Sequence, residues 1–235
     1  MRLGIMQPYF FPYLGYFELI FRTDRWVVFD TVQYIRHGWV NRNRILHPKT
    51  GWQYVIAPIC KHTRDETISS IEVNDETDWR RKVVAQLAHY RGRAPFFAQT
   101  IALVEECLGF PERKLARLNG AILDRVCRHL GIRLDATYFS DMRLDVGTIR
   151  EPGDWALEIA RALGANEYVN PPGGAGLFDH ARFASAGIQL TIQDFAPIVY
   201  GCAGHVFEPN LSIIDVMMWV SREDIMTHLR AQTSP

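Results

Sequence analysis

Residues 2–30 of the chain are RLGIMQPYFFPYLGYFELIFRTDRWVVFD. The short apolar segment Arg2–Met6 predicts a first strand, and the two prolines that follow keep the next residues out of a helix. Apolar residues at mixed three- and four-residue spacing predict a helix over Leu14–Thr23. The segment Trp26–Asp30 is typical of a buried strand that ends in a carboxylate. This order of strand, loop, helix and strand predicts that the two strands pair in parallel through a crossover.

The segments downstream extend the α/β pattern. Residues 32–46 and 52–59 predict two antiparallel strands joined by a Pro-Lys-Thr-Gly turn. Residues 79–130 have helical spacing, and strands return in the last third of the chain. We therefore predict an α/β fold with a mixed sheet, in a single domain of residues 1–235 that contains a helical insertion at about 78–131.

Composition limits the functional classes. The 235 residues are enough for one large domain. Lys plus Arg and Asp plus Glu both number 26, so the net charge is 26 − 26 = 0, which gives no support for binding to nucleic acid or an anionic membrane. Neither a signal peptide nor a long apolar segment is visible. We expect a cytoplasmic protein without nucleic-acid or membrane partners.

The cysteines and histidines do not form a metal-binding pattern. Cys60, Cys107, Cys127 and Cys202 are far apart in sequence, which disfavours structural zinc and a redox CxxC motif. The eight histidines include no HExxH pair. We expect free thiols, no metal and no cofactor. Cys60 and Cys202 lie at the ends of predicted elements, where a thiol nucleophile is an alternative to simple packing.

The opening loop is the first candidate site. Gln7, Tyr9 and Tyr13 follow a strand and precede a helix, and ligands of open α/β sheets bind beyond the carboxyl ends of the strands. An amide can donate and accept hydrogen bonds, and a tyrosine adds stacking and a hydroxyl. The alternative is a proline-rich turn whose aromatic side chains only pack.

A polar strand is the second candidate site. Asn41, Arg42, Asn43 and Arg44 alternate, so the asparagines face one side of a strand and the arginines face the other. Paired arginines suit a phosphate or carboxylate, and paired asparagines suit sugar hydroxyls or an amide. Gln33 lies just upstream and is included as a substrate-binding candidate. The alternative is a solvated strand face.

Two residues are candidates for the catalytic base. Asp30 ends a buried strand, a common place for a functional carboxylate, although it could equally cap the following turn. His37 lies between the two candidate segments. The glycine-rich loop 173–176 lacks the Lys-Ser/Thr of a P-loop, so it is either an anion-binding backbone or a flexible turn.

These segments resemble the WbqC-like family of bacterial proteins. The segments that resemble it are MQPYFFPYLGYF (6–17), FD (29–30), QY (33–34), WVNRNRI (39–45), Tyr90, APF (94–96), EY (167–168), the glycine loop and FEPNLSIID (207–215). In the last segment, Ser212 is predicted to cap a helix over 213–219 and Asp215 lies in its first turn. Both are further substrate-binding candidates.

The family is associated with polysaccharide and O-antigen gene neighbourhoods, and the resemblance implies aminoacyl transfer onto an amino sugar or a similar amide-forming step. The chain differs from relatives in having Met6 where many have His, and in the residues Asn170-Pro171-Pro172 that precede its glycine loop. A weaker likeness links residues 13–16, Tyr-Leu-Gly-Tyr, to the HxGH loop of nucleotidyltransferases, with tyrosine at both histidine positions.

The leading hypothesis is a transferase that joins an acyl or aminoacyl group to an amine of an amino sugar or small metabolite. Asp30 or His37 would remove the amine proton, Arg42 or Arg44 would hold an anionic group, and Gln7 or Asn41 would polarise the carbonyl. The activated donor would be a thioester, for example on an acyl or aminoacyl carrier protein. The alternatives are a non-catalytic module that binds a sugar nucleotide or partner, and a divergent nucleotidyltransferase.

Overall fold

Strand β1 (Arg2–Met6) lies at the centre of a five-stranded parallel sheet in the computed structural model, which describes residues 1–233. The other strands of this sheet are β2 (Arg25–Val28), β5 (Ala136–Tyr138), β6 (Glu167–Asn170) and β7 (Gln189–Ile192). The remaining strands, β3 (Arg42–Leu46) and β4 (Trp52–Ile56), form a separate antiparallel pair.

The strand order of the large sheet is β5-β2-β1-β6-β7, and every adjacent pair is parallel. The chain builds the sheet from β1 through β2 to β5 on one side, and then adds β6 and β7 on the other side. The order therefore reverses between β1 and β6. In open α/β sheets, the crevice beyond the carboxyl ends of the strands at such a reversal is the usual ligand site.

Helices cover both faces of the large sheet, as parallel sheets require. The helices are α1 (Leu14–Arg22), α2 (Trp79–Gln86), α3 (Phe97–Leu108), α4 (Leu115–Leu130), α5 (Asp154–Ala162), α6 (His180–Ser185), α7 (Ile213–Trp219) and α8 (Arg222–Thr233). Alternation along β2 sends Trp26 and Val28 into a core with α1 and α4, and Val27 into a second core with α5 and α6. Among residues 1–233, no helix is long and apolar enough to cross a membrane.

The predicted α/β class, with parallel and antiparallel strands, is confirmed, and the two kinds of pairing occupy different sheets. The opening strand, loop, helix and strand form the parallel β1-α1-β2 unit. Helices α2, α3 and α4 lie between β4 and β5 in the chain, where the helical insertion is predicted. The organisation as one domain with an insertion stays a prediction.

Candidate functional site

A cavity of about 1200 Å³ opens at the carboxyl ends of β1, β2 and β6, where the strand order reverses. Its wall combines amides, aromatic rings and two arginines. The polar lining residues are Gln7, Gln33, Asn43, Arg44, Arg150, Glu151, Asn170, Gln193 and Asn210. Rings include those of Tyr9, Tyr13, Trp39, Trp155 and Phe195. The cavity is at the upper end of the size of small-molecule sites, so it has room for a ligand as large as a sugar nucleotide.

Side chains from remote parts of the chain hold the opening loop in place. The amide Nδ2 of Asn43 donates to the carbonyl oxygens of Phe10 (3.1 Å) and Phe11 (2.9 Å). The Ser212 hydroxyl also donates to the Phe11 carbonyl, at 2.7 Å. Phe11 has a φ of 40°, a conformation that is strained for a residue with a side chain, so these bonds support a backbone that would not persist alone.

A residue of α4 joins the two candidate segments. Asn119 is fully buried, and its Nδ2 donates to the carbonyl of Pro8 at 2.8 Å and to that of Val40 at 2.7 Å. One amide therefore fixes the opening loop against the segment that leads into β3. A lone asparagine in an amphipathic helix gives no sequence signal for this role, because its partners are 79 and 111 residues away.

The three loop candidates all line the cavity. Gln7 donates and accepts no side-chain hydrogen bond within residues 1–233, and its carbonyl accepts from the Tyr16 hydroxyl at 2.8 Å. The ring of Tyr9 packs on Tyr16, and that of Tyr13 packs edge-on against Phe195. Burial raises the pKa of both Tyr9 and Tyr13. Their hydroxyls therefore remain protonated donors at neutral pH.

The polar strand sends its residues in different directions. Arg44 lines the cavity, with its guanidinium 5.2 Å from the Trp39 ring centre and 5.1 Å from that of Trp52. Its Nη2 donates to the carbonyl of Asn210 at 3.4 Å, while its buried Nε has no acceptor within residues 1–233. The aromatic rings thus fix a cation at the cavity mouth.

Asn41 and Arg42 are not among the cavity-lining residues. Asn41 accepts from the Tyr34 hydroxyl (2.8 Å) and donates to a backbone carbonyl. Arg42 donates to the carbonyls of Gly38 and His37 and lies over the ring of Tyr54. Arg42 and Arg44 therefore do not share the cavity wall, and neither do the two asparagines. Gln33 lines the cavity at its exposed rim, where its amide donates to the Arg64 carbonyl at 2.8 Å.

Neither candidate base lines the cavity. Asp30 is 1% exposed, and its carboxylate accepts from the Ser140 amide at 2.9 Å and from the Ser140 hydroxyl at 2.6 Å. His37 is exposed, with a φ of 64°, and its backbone carbonyl accepts from Arg42. A catalytic role for either residue stays a prediction, because the structure assigns Asp30 a partner within the fold and leaves His37 outside the wall.

Ser212 and Asp215 belong to the protein interior. Ser212 caps α7, since its hydroxyl oxygen accepts from the Ile214 amide. Asp215 is fully buried and accepts from the hydroxyls of Tyr90 and Tyr200, the latter at 2.7 Å. Burial raises the pKa of its carboxyl. Both side chains hold α7 against the opening loop or β3, and neither is among the cavity-lining residues.

The thiols are also absent from the lining among residues 1–233. Burial raises the pKa of the Cys202 thiol to about 12, so it is protonated at neutral pH and a weak nucleophile. Cys60 is half-buried, and its sulfur lies 3.5 Å from the Val73 carbonyl. Among residues 1–233, no group of three or more His, Cys, Asp or Glu side chains is arranged to hold a metal ion.

The sequence did not identify the wall formed by residues 149–152. Asp154, at the start of α5, accepts from the backbone amides of Arg150 (2.8 Å) and Glu151 (3.1 Å) and pairs with Arg182. These donors, the Arg150 amide first, lower the pKa of Asp154. The charged side chains at 150 and 151 therefore project from a fixed backbone. The sequence signal that could have indicated this wall is the Glu151-Pro152 pair shortly before α5.

The glycine loop forms the adjoining wall. It makes a 3-10 segment over Pro172–Leu177, with Gly173 and Gly174 at the cavity. A Cβ on Gly174 would lie 2.4 Å from Asn170 Nδ2, so the glycine lets the turn approach that amide closely. Asn170 ends β6 and lines the cavity, so it lies at the carboxyl end of a parallel strand, although the sequence did not propose it as a site residue.

Fold and site together define an α/β protein with a large cavity at the reversal of a parallel sheet. The profile of the WbqC-like protein family matches residues 7–227, and the chain belongs to that family. The uncharacterized protein Rv1507c of Mycobacterium tuberculosis is 28% identical over 224 residues, which cover 94% of this chain and 95% of the relative. No solved structure matches the chain.

Proposed function

We propose that the chain is a transferase that forms an amide by moving an acyl or aminoacyl group directly onto the amine of an amino sugar or a small metabolite. The composition of the cavity wall is the observation that supports this proposal. Within residues 1–233, the lining includes amides, phenols, two arginines and one carboxylate, but no cysteine, serine, threonine, lysine or histidine. The described lining thus lacks the thiol, aliphatic hydroxyl and amine groups that usually carry an acyl-enzyme intermediate, so direct transfer between two bound substrates fits best.

The proposed reaction uses an activated donor, such as a thioester on an acyl or aminoacyl carrier protein. The amine nitrogen attacks the carbonyl carbon and forms a C–N bond. The C–S bond then breaks, and the amine proton passes to an enzyme base and from there to the departing thiolate. Gln7 and the hydroxyls of Tyr9 and Tyr13 are the donors available to the carbonyl oxygen. Arg44 or Arg150 binds an anionic group of either substrate.

Glu151 is the proposed base. It is the one carboxylate among the cavity-lining residues that the structure describes, and Asp154 fixes its backbone. Asp30 and His37, which the sequence proposes for this role, lie outside the wall. Proximity to a substrate amine is the first requirement of a general base, so the geometry favours Glu151.

The second candidate is a module that binds a sugar nucleotide without turnover. The lack of an imidazole or thiol among the described lining residues favours it, while the amides and rings serve binding equally well. Nucleotidyl transfer has less support. Tyr16, which occupies the second histidine position of the HxGH pattern, is 1% exposed and donates to the Gln7 carbonyl, so it is not placed to contact a phosphate.

Glu151→Gln separates the two candidates. Release of thiol from a glycyl thioester is measured with an added amine, for wild type and variant. For a transferase, the variant loses about 10²–10⁴-fold in kcat and keeps its affinity for the amine. Glu158→Gln is the matched control, because Glu158 lies on α5 in an ion pair with Arg161 and does not line the cavity. Saturable binding of a sugar nucleotide without turnover with any donor supports the binding module instead.

The same assay tests the bases proposed from the sequence. Asp30→Asn and His37→Ala should retain turnover when their folded fractions are matched to wild type. If either variant lost as much turnover as Glu151→Gln, the substituted residue, Asp30 or His37, would be a candidate for the base again.

A further inference from the structure

Gln193 follows β7 immediately, is one of the cavity-lining residues and is 2% exposed. Its Nε2 donates to the carbonyl of Gly15 at 2.8 Å and to the carboxylate of Glu18. Its backbone amide donates to the carbonyl of Asn170 at 2.8 Å. Gln193 is thus joined to α1 through its side chain and to β6 through its backbone.

These bonds fix which way the amide points. Both acceptors on α1 are oxygens, so a flipped amide would place Oε1 against them and lose two hydrogen bonds. Nε2 therefore faces α1. The Oε1 atom at the other end is buried and receives no hydrogen bond within residues 1–233. A buried acceptor without a donor costs folding free energy, and native proteins contain few of them.

Glu18 is the second unusual group. It is fully buried on α1, where its carboxylate is shared between Arg22 and Gln193. A buried carboxylate is costly unless it is paired. The charge that accepts from Nε2 also polarises the amide and makes Oε1 a stronger acceptor. Glu18 thus acts as a positioning residue for an acceptor that the folded protein does not use.

We infer that Gln193 Oε1 accepts a hydrogen bond from the amino group of the acceptor substrate, in a subsite of the cavity at the junction of β6, β7 and α1. The inference rests on the proposed function, since it assigns the amine of that reaction to one atom. A strong neutral acceptor backed by a carboxylate favours an ammonium or amine over an anion, and a charge-assisted bond favours an ammonium over a hydroxyl.

The test uses two matched ligand pairs that differ in one group. UDP-glucosamine is compared with UDP-glucose, and glucosamine 1-phosphate with glucose 1-phosphate, by titration calorimetry. Wild type should bind the amine of each pair more tightly. Gln193→Met, which keeps a long side chain without the carbonyl, should lose about ten- to a hundredfold in affinity for the amines and much less for the hydroxyl compounds. Glu18→Gln should reduce the same preference by a smaller factor.

Gln189→Met is the control, since Gln189 is an exposed residue at the start of β7 and is not in the cavity wall. It should leave the preference for amines unchanged. Equal affinity of wild type and Gln193→Met for the amines would overturn the inference and leave the proposed function standing. The absence of binding of either amine to wild type would also overturn the inference, whereas the proposed function is overturned separately, by the absence of amine-dependent thiol release from the thioester. Circular dichroism of each variant establishes that the affinities refer to folded protein.

Discussion

Replacement of Asn43 by alanine tests whether the opening loop depends on side chains from far away in the sequence. The amide is 4% exposed and gives hydrogen bonds to two backbone carbonyls, those of Phe10 and Phe11. The Phe11 carbonyl keeps the Ser212 hydroxyl as a donor, so its loss is about 1 kcal/mol, the net value of one hydrogen bond. The Phe10 carbonyl loses its side-chain donor, which costs roughly 1–3 kcal/mol.

The expected destabilisation by Asn43→Ala is therefore about 2–4 kcal/mol, which for a chain of this length lowers Tm by roughly 5–15 °C. Urea unfolding followed by circular dichroism measures the free energy of unfolding. Asn43→Leu separates hydrogen bonding from packing, because it keeps a branched side chain of similar size and has no donor. Asn74→Ala is the control. That amide bonds only to Glu76 in an exposed turn, so its loss should be within about 0.5 kcal/mol. A change below about 1 kcal/mol for Asn43→Ala would show that the opening loop does not depend on these two hydrogen bonds.

Three further predictions follow from the cavity walls. A Cβ introduced by Gly174→Ala would clash with Nδ2 of Asn170 in the cavity wall, so this variant should weaken ligand binding in calorimetry. Gly176→Ala is the control, because Gly176 is outside the cavity lining and a Cβ there meets nothing within 4 Å; it should leave binding unchanged. The depressed pKa of Asp154 means that its bonds stabilise the fold above its unfolded pKa and are lost as pH falls through the folded value. The stability penalty of Asp154→Asn should therefore be full at pH 7 and shrink as the pH falls below about 3.9, the ordinary pKa of an aspartate in an unfolded chain, in unfolding measured across that range. Cys60→Ser and Cys202→Ala should keep amide formation, and abolished turnover in either would restore a covalent route.

The sequence predicted the parallel opening unit because its determinants are local. The apolar strands, the helical spacing and the prolines all lie within residues 2–30, and the parallel pairing of β1 with β2 follows from them. The same reasoning proposed Gln7 and Tyr9 as substrate-binding residues beyond a strand end; both line the cavity, and their binding role stays a prediction. It could not distinguish Arg42 from Arg44, because the difference depends on which rings and carbonyls of other segments each guanidinium meets.

Long-range partners also explain the residues that the sequence missed. Asn119 and Gln193 stand in ordinary helical and strand-end contexts, and their roles depend on carbonyls 79–178 residues away. Conversely, Asp215 is a carboxylate in a segment that resembles the family, so the sequence proposes it as a site residue. In the structure its carboxylate accepts hydrogen bonds from two tyrosines instead. For these candidate residues the sequence shows the polar group, and the fold shows whether that group contacts the cavity or another part of the protein.

We propose that the cavity at the reversal of the sheet binds the amine substrate, and titration of UDP-glucosamine into wild type and Gln7→Leu is the decisive measurement. The Gln7 side chain has no hydrogen-bond partner within residues 1–233 and lines the cavity, so its replacement removes a ligand contact without breaking a bond of the fold. We expect one-to-one binding by wild type and an affinity at least about tenfold lower for the variant, with Tm nearly unchanged. Equal affinities of the two proteins, or no binding by wild type, would contradict it.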